Sequence, residues 1–317
     1  MKASAFAHPN IALAKYWGKR AGEGNIPAVP SLSVTLAGMR TTTTVERDSA
    51  LSEDELWVGG EKLVGAARSK GVRVLEILRS RLSGSPGYAR MQSSNDFPTA
   101  SGLASSASGM AALVVAAAGA YELELSAGEL SSIAREGSAS AARSLFGGYV
   151  ELIPGAPARQ VAAADALPLS VLVCVTSEGT KDVSSTEGMK QTQAMSPYFD
   201  AWTAFAPNLF AALRDALLAA DFARVGELAE SSALAMHASA MAAGVVYFRG
   251  ATLEAYRAVR ELRAKGFAAY ATMDAGPHVK VLTTPSDRVA VAKALEHVPG
   301  VLRLIETSPG PAAGRLP

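Results

Sequence analysis

The sequence predicts an α+β fold in two domains, and three observations carry that expectation. Its 317 residues are about twice the ~150 residues of an average domain. Strand-like and helix-like apolar patterns both occur, but without the strict βα alternation of a doubly wound sheet. Apolar residues make up 49 %, enough for a real core, and the many alanines favour close helix packing.

The elements follow in order. Residues 4–7, 31–36 and 41–46 read as strands. Residues 65–82 read as a helix, with Val72, Leu75, Ile77, Leu78 and Leu82 on or near one face. A strand over 88–93 leads into a helix over 102–121. The next helix, 126–135, carries a start signal: Ser126 as N-cap and Glu129 three residues later form a capping box. A strand follows at 146–153. The Ala/Pro-rich stretch 154–166 marks the boundary, giving domains 1–166 and 167–317. The second domain opens with a Val/Leu run at 169–176, a buried strand. Residues 181–189 read as a polar loop. Helices are expected over 207–218, 222–241 and 252–265, the last stopped by Gly266. Strands at 267–273 and 279–283 are joined by Asp274-Ala275-Gly276-Pro277. A helix over 285–297, a strand over 301–305 and a loose Pro/Gly-rich tail over 308–317 complete the chain.

Composition removes several function classes. A net charge of +1 gives no basic excess for nucleic acid. The longest apolar run, about 110–118, falls short of the ~20 residues that span a bilayer. No leader-peptide pattern is visible, and one cysteine fits a reducing compartment, so a cytoplasmic protein is expected. Cys174 lies in LSVLVCVT and reads as core. The four histidines (His8, His237, His278, His297) have no metal-ligand spacing, so no protein-held metal is expected.

Four segments carry groups suited to phosphate. Residues 93–108, SSNDFPTASGLASSAS, are a small-residue loop that opens a helix. Helix-start N–H groups lack intrahelical partners and carry the positive dipole end, and small residues let an anion approach them. No Gly-Lys-Ser/Thr follows, so this is not a Walker A loop. A tightly packed Ser/Ala helix start fits the same residues. Asn10 to Lys19, NIALAKYWGK, brings two lysines four apart, suited to phosphate or carboxylate but, taken alone, read first as solvated charges on an amphipathic strand. EGSASAAR sets Ser138, Ser140 and Arg143 within one or two turns; a guanidinium fork matches a carboxylate or phosphate, and a surface ion pair is the alternative. TMDAGPH puts Asp274 at a strand end, as a rigid catalytic carboxylate or a turn-forming Asp.

Taken together, NIALAKYWGKR, IPAVPSLSVTL, SSNDFPTASGLASSAS, GSASAARSLFGGYVE, KDVSSTEGM and TMDAGPH resemble the diphosphomevalonate decarboxylases of the GHMP kinase superfamily, in the same order over residues 6–283. The resemblance implies a two-lobed GHMP-kinase-like fold: an N-terminal ATP-binding lobe with the phosphate-binding loop and helix, and a C-terminal ferredoxin-like α/β sandwich lobe carrying the catalytic Asp. It implies ATP and Mg2+ as cofactors, 5-diphosphomevalonate as substrate, isopentenyl diphosphate as product, and a homodimer. The family's catalytic set falls on Asp274, Lys15 and Arg143. Its substrate contacts fall on Tyr16, Lys19, Ser138, Ser140, Arg143 and Ser185. Its nucleotide segment falls on Ser93, Ser94, Asn95, Pro98, Ser101, Gly102, Leu103, Ala104, Ser105 and Ser106. The chain departs from the pattern at Val29-Pro30, Ala139, Thr186 and His278. Thr186 stands where some relatives have an arginine near the diphosphate, and some relatives act on 5-phosphomevalonate instead.

Overall fold

A computed structural model describes residues 1–22, 24–83, 87–97, 105–179 and 182–317. The first lobe contains β1 (Lys2–Ala7), β2 (Asn10–Ala14), β3 (Ser31–Thr35), β4 (Thr41–Asp48), β5 (Glu55–Val58), β6 (Glu61–Lys62), α1 (Gly65–Arg79), β7 (Tyr88–Asn95), α2 (Ser105–Ala120), α3 (Ala127–Gly137), a 3₁₀ helix (Ala139–Leu145), β8 (Tyr149–Leu152) and β9 (Arg159–Ala162). The second contains β10 (Ser170–Val175), α4 (Ser185–Met195), α5 (Phe199–Leu218), α6 (Phe222–Ala242), α7 (Gly250–Ala264), β11 (Ala269–Met273), β12 (Val279–Thr283), α8 (Arg288–Leu295) and β13 (Arg303–Thr307); β14 (Gly314–Arg315) ends the chain.

The architecture is mixed α+β, as expected, with three sheets among the described residues. The order β14-β1-β4-β7-β5-β6 makes the large one, and β2-β3-β8-β9 and β11-β12-β10-β13 make two four-stranded ones. Period-two alternation aims β4 inward: Thr41, Thr43 and Val45 are buried, and α2 covers them. Helix α2 has almost no polar face, with Ala107 through Ala118 buried except Gly109 and Met110. Such a helix belongs in the interior, and its small residues bring it against the sheet. A Cβ on Gly119 would meet Ala3 Cβ at 2.9 Å. The Ser126–Glu129 capping box forms as expected and starts α3.

In the second lobe, the alternation of β10, β11 and β12 serves two cores. Leu172, Cys174, Ala271, Met273 and Val281 face α7 and α8. Val171, Val173, Tyr270 and Leu282 meet α5, α6 and the β2 residues Ile11 and Leu13. Helix α6 closes the edge strand β11, where the Glu230 carboxylate accepts from Ala271 N–H at 2.9 Å. It also packs on β2, so one helix touches both lobes.

Three expectations are corrected, and one falls partly outside the described residues. The 181–189 loop is helical from Ser185, with Ser184 accepting from Glu187 N–H as N-cap. Helix α5 starts at Phe199 and keeps Pro207 inside, because Trp202, Ala206, Leu209 and Phe210 bury one continuous face. The 102–121 helix is described only from Ser105. The tail is not loose: β14 pairs with β1, and Gly310 bridges Thr35 O and Gly148 N–H at 2.7 and 2.9 Å. A Cβ on Gly310 would lie 2.5 Å from Ala37 N, so glycine lets the tail lie flat on the first lobe. Among the described residues, no helix is long and apolar enough to cross a membrane.

Candidate active site

Strand β2 is buried along its whole length and ends at Ala14, just before Lys15. A register shift between Ala12 and Ala14 turns the strand just before that lysine. The Lys15 N–H donates to Ser232 Oγ on α6 at 2.9 Å, pinning the backbone across the cleft. Its ammonium donates to Ala12 O at 2.7 Å and to Asp274 Oδ1 at 2.6 Å. Asp274 follows the last residue of β11 and is 29 % exposed, toward the cleft. Its second oxygen, Oδ2, lies 3.2 Å from Lys280 Nζ of β12, and both lysines are only 2 % exposed.

Burial alone would raise the Asp274 carboxyl, but Lys15 and Lys280 outweigh it and hold it well below the usual carboxylate range. Burial draws the Lys15 ammonium down and Asp274 pulls it back up; with Lys280 and Arg143 lowering it further, it comes to about 8. His237 of α6 packs against Phe248 with ring centroids 4.3 Å apart. Burial, with Lys15 nearby, brings it down to about 3, so it is neutral beneath the Asp274 backbone.

The opposite wall is Arg143, on the 3₁₀ helix and 3 % exposed. It donates to Asn10 Oδ1 at 3.1 and 3.3 Å and to Ser31 Oγ at 2.9 Å. The Asn10 amide in turn donates to Ser140 O and Ser144 Oγ, fixing the fork. All these partners are neutral. Among the described residues, no carboxylate lies within ion-pair distance of Arg143, and burial lowers its guanidinium to about 10. Ala139 opens the 3₁₀ helix with an ordinary backbone, so this turn needs no glycine.

A cavity of about 280 Å³ joins the two walls. Asn10, Lys15, Tyr16, Ser105, Ser106, Ser140, Arg143, Ser185 and Asp274 line it. Six expected site residues of the NIALAKYWGK and EGSASAAR segments thus divide: Lys15, Tyr16, Ser140 and Arg143 meet there, while Lys19 and Ser138 stand back. Lys19 donates to Asn25 Oδ1 at 2.7 Å and is tied to α4 through Gln193; Ser138 Oγ bonds Ser140 Oγ at 3.0 Å. Burial, with Lys70 and Lys190 near, lowers the Lys19 ammonium.

A second, more apolar cavity of about 250 Å³ shares Ser105 and Ser106 with the first and adds Leu56, Leu63, Lys70, Ser93, Asn95 and Met110. Strand alternation decides which β7 residues reach it: Ser93 and Asn95 do, whereas Ser94 is exposed on the opposite face beside Gln92 and Arg90. Pro98, Ser101, Gly102, Leu103 and Ala104 lie outside the described residues.

Sequence reasoning passed over Lys280, Asn10 and Ser232. A signal for Lys280 was present: a lysine among the valines of VKVLT, a strand buried at every position. His278 is structural, accepting from Thr176 N–H at 3.2 Å through Nδ1. Among the described residues, no three His, Cys, Asp or Glu cluster to cage a metal ion.

Two family models cover nearly the whole chain: a diphosphomevalonate decarboxylase-like N-terminal domain over residues 7–163 and a mevalonate 5-diphosphate decarboxylase C-terminal domain over 171–307. The chain belongs to the diphosphomevalonate decarboxylase family. A Candida albicans diphosphomevalonate decarboxylase is 35 % identical, with 98 % of this chain and 96 % of that protein covered. The mevalonate diphosphate decarboxylase structure from Staphylococcus aureus superposes with a TM-score of 0.94 at 34 % identity, covering 100 % and 98 %. A solved complex of MDDEF with MVAPP, AMPPCP and magnesium superposes at 0.92 with 37 % identity, covering 100 % and 99 %. A Haloferax volcanii phosphomevalonate decarboxylase is also similar, 36 % identical with 93 % and 92 % covered.

Proposed function

We propose that this enzyme uses ATP to phosphorylate the C3 hydroxyl of (R)-5-diphosphomevalonate, then releases that phosphate and CO2 to leave isopentenyl diphosphate and ADP. The observation that carries this reading is the pairing of walls. A carboxylate fixed between two lysines faces an arginine that is 3 % exposed and has only neutral described partners. A buried guanidinium without an anion is costly, and a substrate carboxylate supplies the missing charge.

In this reading Arg143 holds the substrate carboxylate until it departs as CO2. Asp274 lies beside C3. Paired with a lysine on each oxygen, the carboxylate stays ionised and stabilises the positive charge that grows at C3 as the tertiary phosphate leaves. Lys15 keeps it ionised. Tyr16, Ser140 and Ser185 line the substrate's cavity, with Lys19 and Ser138 behind them. The nucleotide's base and ribose take the neighbouring apolar cavity, and its phosphates approach Ser105 and Ser106, which serve both cavities. Ser94, on the far face, is left out. Mg2+ is usually held by phosphates with one or two protein oxygens, and the described residues, which hold no carboxylate cage, fit a metal that would arrive on the nucleotide and neutralise phosphate charge there. The division at residue 166, a homodimer and cytoplasmic residence belong to the same proposal.

The test offers ATP and Mg2+ with mevalonate, 5-phosphomevalonate or 5-diphosphomevalonate and follows ADP and CO2 together. Both products from the diphosphate alone support the reading. The Haloferax relative and Thr186 favour a second one, decarboxylation of the monophosphate, which the same assay separates. ADP without CO2 overturns both.

A further inference from the structure

Lys280 sits in the middle of β12, an interior strand, opposite Thr272 of β11 and Val173 of β10. Along its own strand it alternates with Val279 and Val281, which face the α7–α8 core. Valine or leucine would build this sheet without help. An ammonium here costs several kcal/mol unless it is paired. Its one ion-pair partner among the described residues is Asp274 Oδ2, at 3.2 Å, the oxygen that Lys15 leaves free. Lys15 comes from the first lobe and Lys280 from the second, so the carboxylate is gripped from both sides of the cleft.

We propose that Lys280 is a positioning residue for the reaction: with Lys15 it clamps Asp274, one oxygen each, fixing the plane and charge of the carboxylate beside the reacting carbon. This rests on the decarboxylase reading above. The clamp explains how a carboxylate at a mobile-looking Asp-Ala-Gly-Pro turn is held rigidly. It also leaves the site with a net positive charge, since Lys15, Lys280 and Arg143 face a single Asp274. That balance suits a polyanionic substrate. The groups facing Asp274 are Lys15 from the β2 end, Arg143 from the 3₁₀ helix, His237 from α6 and Lys280 from β12, with Tyr16 near Arg143. His237 is neutral and Tyr16 is pushed up by burial, so the lysines and Arg143 supply the field.

The experiment compares wild type, Lys280→Met and Lys280→Arg. Each free protein is labelled with 13C at aspartate carboxyls, and Asp274 is assigned from the spectrum of Asp274→Asn. Turnover is measured on the same preparations. Removing a contacting opposite charge moves a carboxyl by roughly 1–3 units. The Asp274 signal in Lys280→Met is therefore expected to protonate about one unit or more higher than in wild type, with kcat down at least ~10-fold and KM for ATP within about twofold. Lys280→Arg keeps the low titration. If Lys280→Met melts early, Lys280→Gln carries the same titration. An Asp274 titration unmoved by loss of the charge overturns the clamp, as does a moved titration with unchanged kcat. A wild type that releases no CO2 from 5-diphosphomevalonate sinks the parent reading instead, and the carboxyl titration still decides whether the clamp exists.

Discussion

The two walls of the cleft hold their charges in opposite ways. Asp274 is supplied with counter-ions by the protein itself, one on each oxygen, before any ligand arrives. Arg143 is buried as deeply as the lysines, but its hydrogen-bond partners among the described residues, Asn10 and Ser31, are neutral. One wall is preorganised and satisfied; the other waits for an anion. The satisfied wall has to stay the same through the reaction, because charge appears there only in the transition state. In the proposed reaction the Arg143 wall binds the substrate carboxylate and then loses it, so a built-in partner would compete with the substrate.

That contrast can be broken most sharply at Asp274. Asp274→Asn is expected to lower kcat by roughly 10²–10³ while nucleotide binding persists, on the scale of removing one preorganised electrostatic group. It also leaves Lys15 and Lys280 facing each other without an anion, so its thermal melt falls. Single-turnover release of CO2 and a nucleotide titration check both halves. Near-normal turnover would remove Asp274 from the chemistry.

Arg143 should respond the other way in stability. Arg143→Lys loses the fork and with it activity, by ~10-fold or more, because a point charge cannot match a carboxylate in two bonds. Arg143→Met removes an unpaired buried cation and is expected to melt at or above wild type while being inactive. A large drop in melting temperature for Arg143→Met would mean that its bonds to Asn10 and Ser31 hold the fold, and the waiting-wall idea would fail.

A third expectation concerns pH. Lys15 must be protonated to hold Asp274, and its value of about 8 lies far below that of an exposed lysine. Activity is therefore present below that pH and lost as pH rises through it. The basic limb of kcat/KM belongs near 8, and Lys15→Arg should move it upward. A limb that stays in place in that variant belongs to another group.

The smallest effect is at Ser232. Ser232→Ala leaves the buried Lys15 N–H without its acceptor and costs about 1–3 kcal/mol of stability, read from denaturant unfolding. Turnover should fall only a few-fold, because the ammonium keeps Ala12 O and Asp274.

Much of the chemistry of both walls was legible in the chain, since Asp274, Lys15 and Arg143 lie in short, distinctive segments. Lys280 was legible only as an oddity, a charged residue in a buried strand, because its partner is set by β11–β12 pairing and the end of β2. Ser94 shows the reverse case. Its neighbours in sequence reach the second, more apolar cavity, and pleating sends it to the other side. Pro207 misled the reading of α5 for a similar reason: local propensity favours a helix start at proline, and burial of Trp202 and Ala206 overrides it.

By itself the sequence determined the α+β class, the Ser126–Glu129 helix start, the buried strands of the second lobe and the residue types able to meet a phosphate or carboxylate. Those depend on interactions within a turn or a strand, a few residues apart. Tertiary structure alone decided that the tail returns to β1, that α6 joins the lobes, and that ammonium groups from β12 and the end of β2 close on one carboxylate. Each of these joins residues far apart in the chain, where contact is set by packing of whole elements rather than by any local pattern.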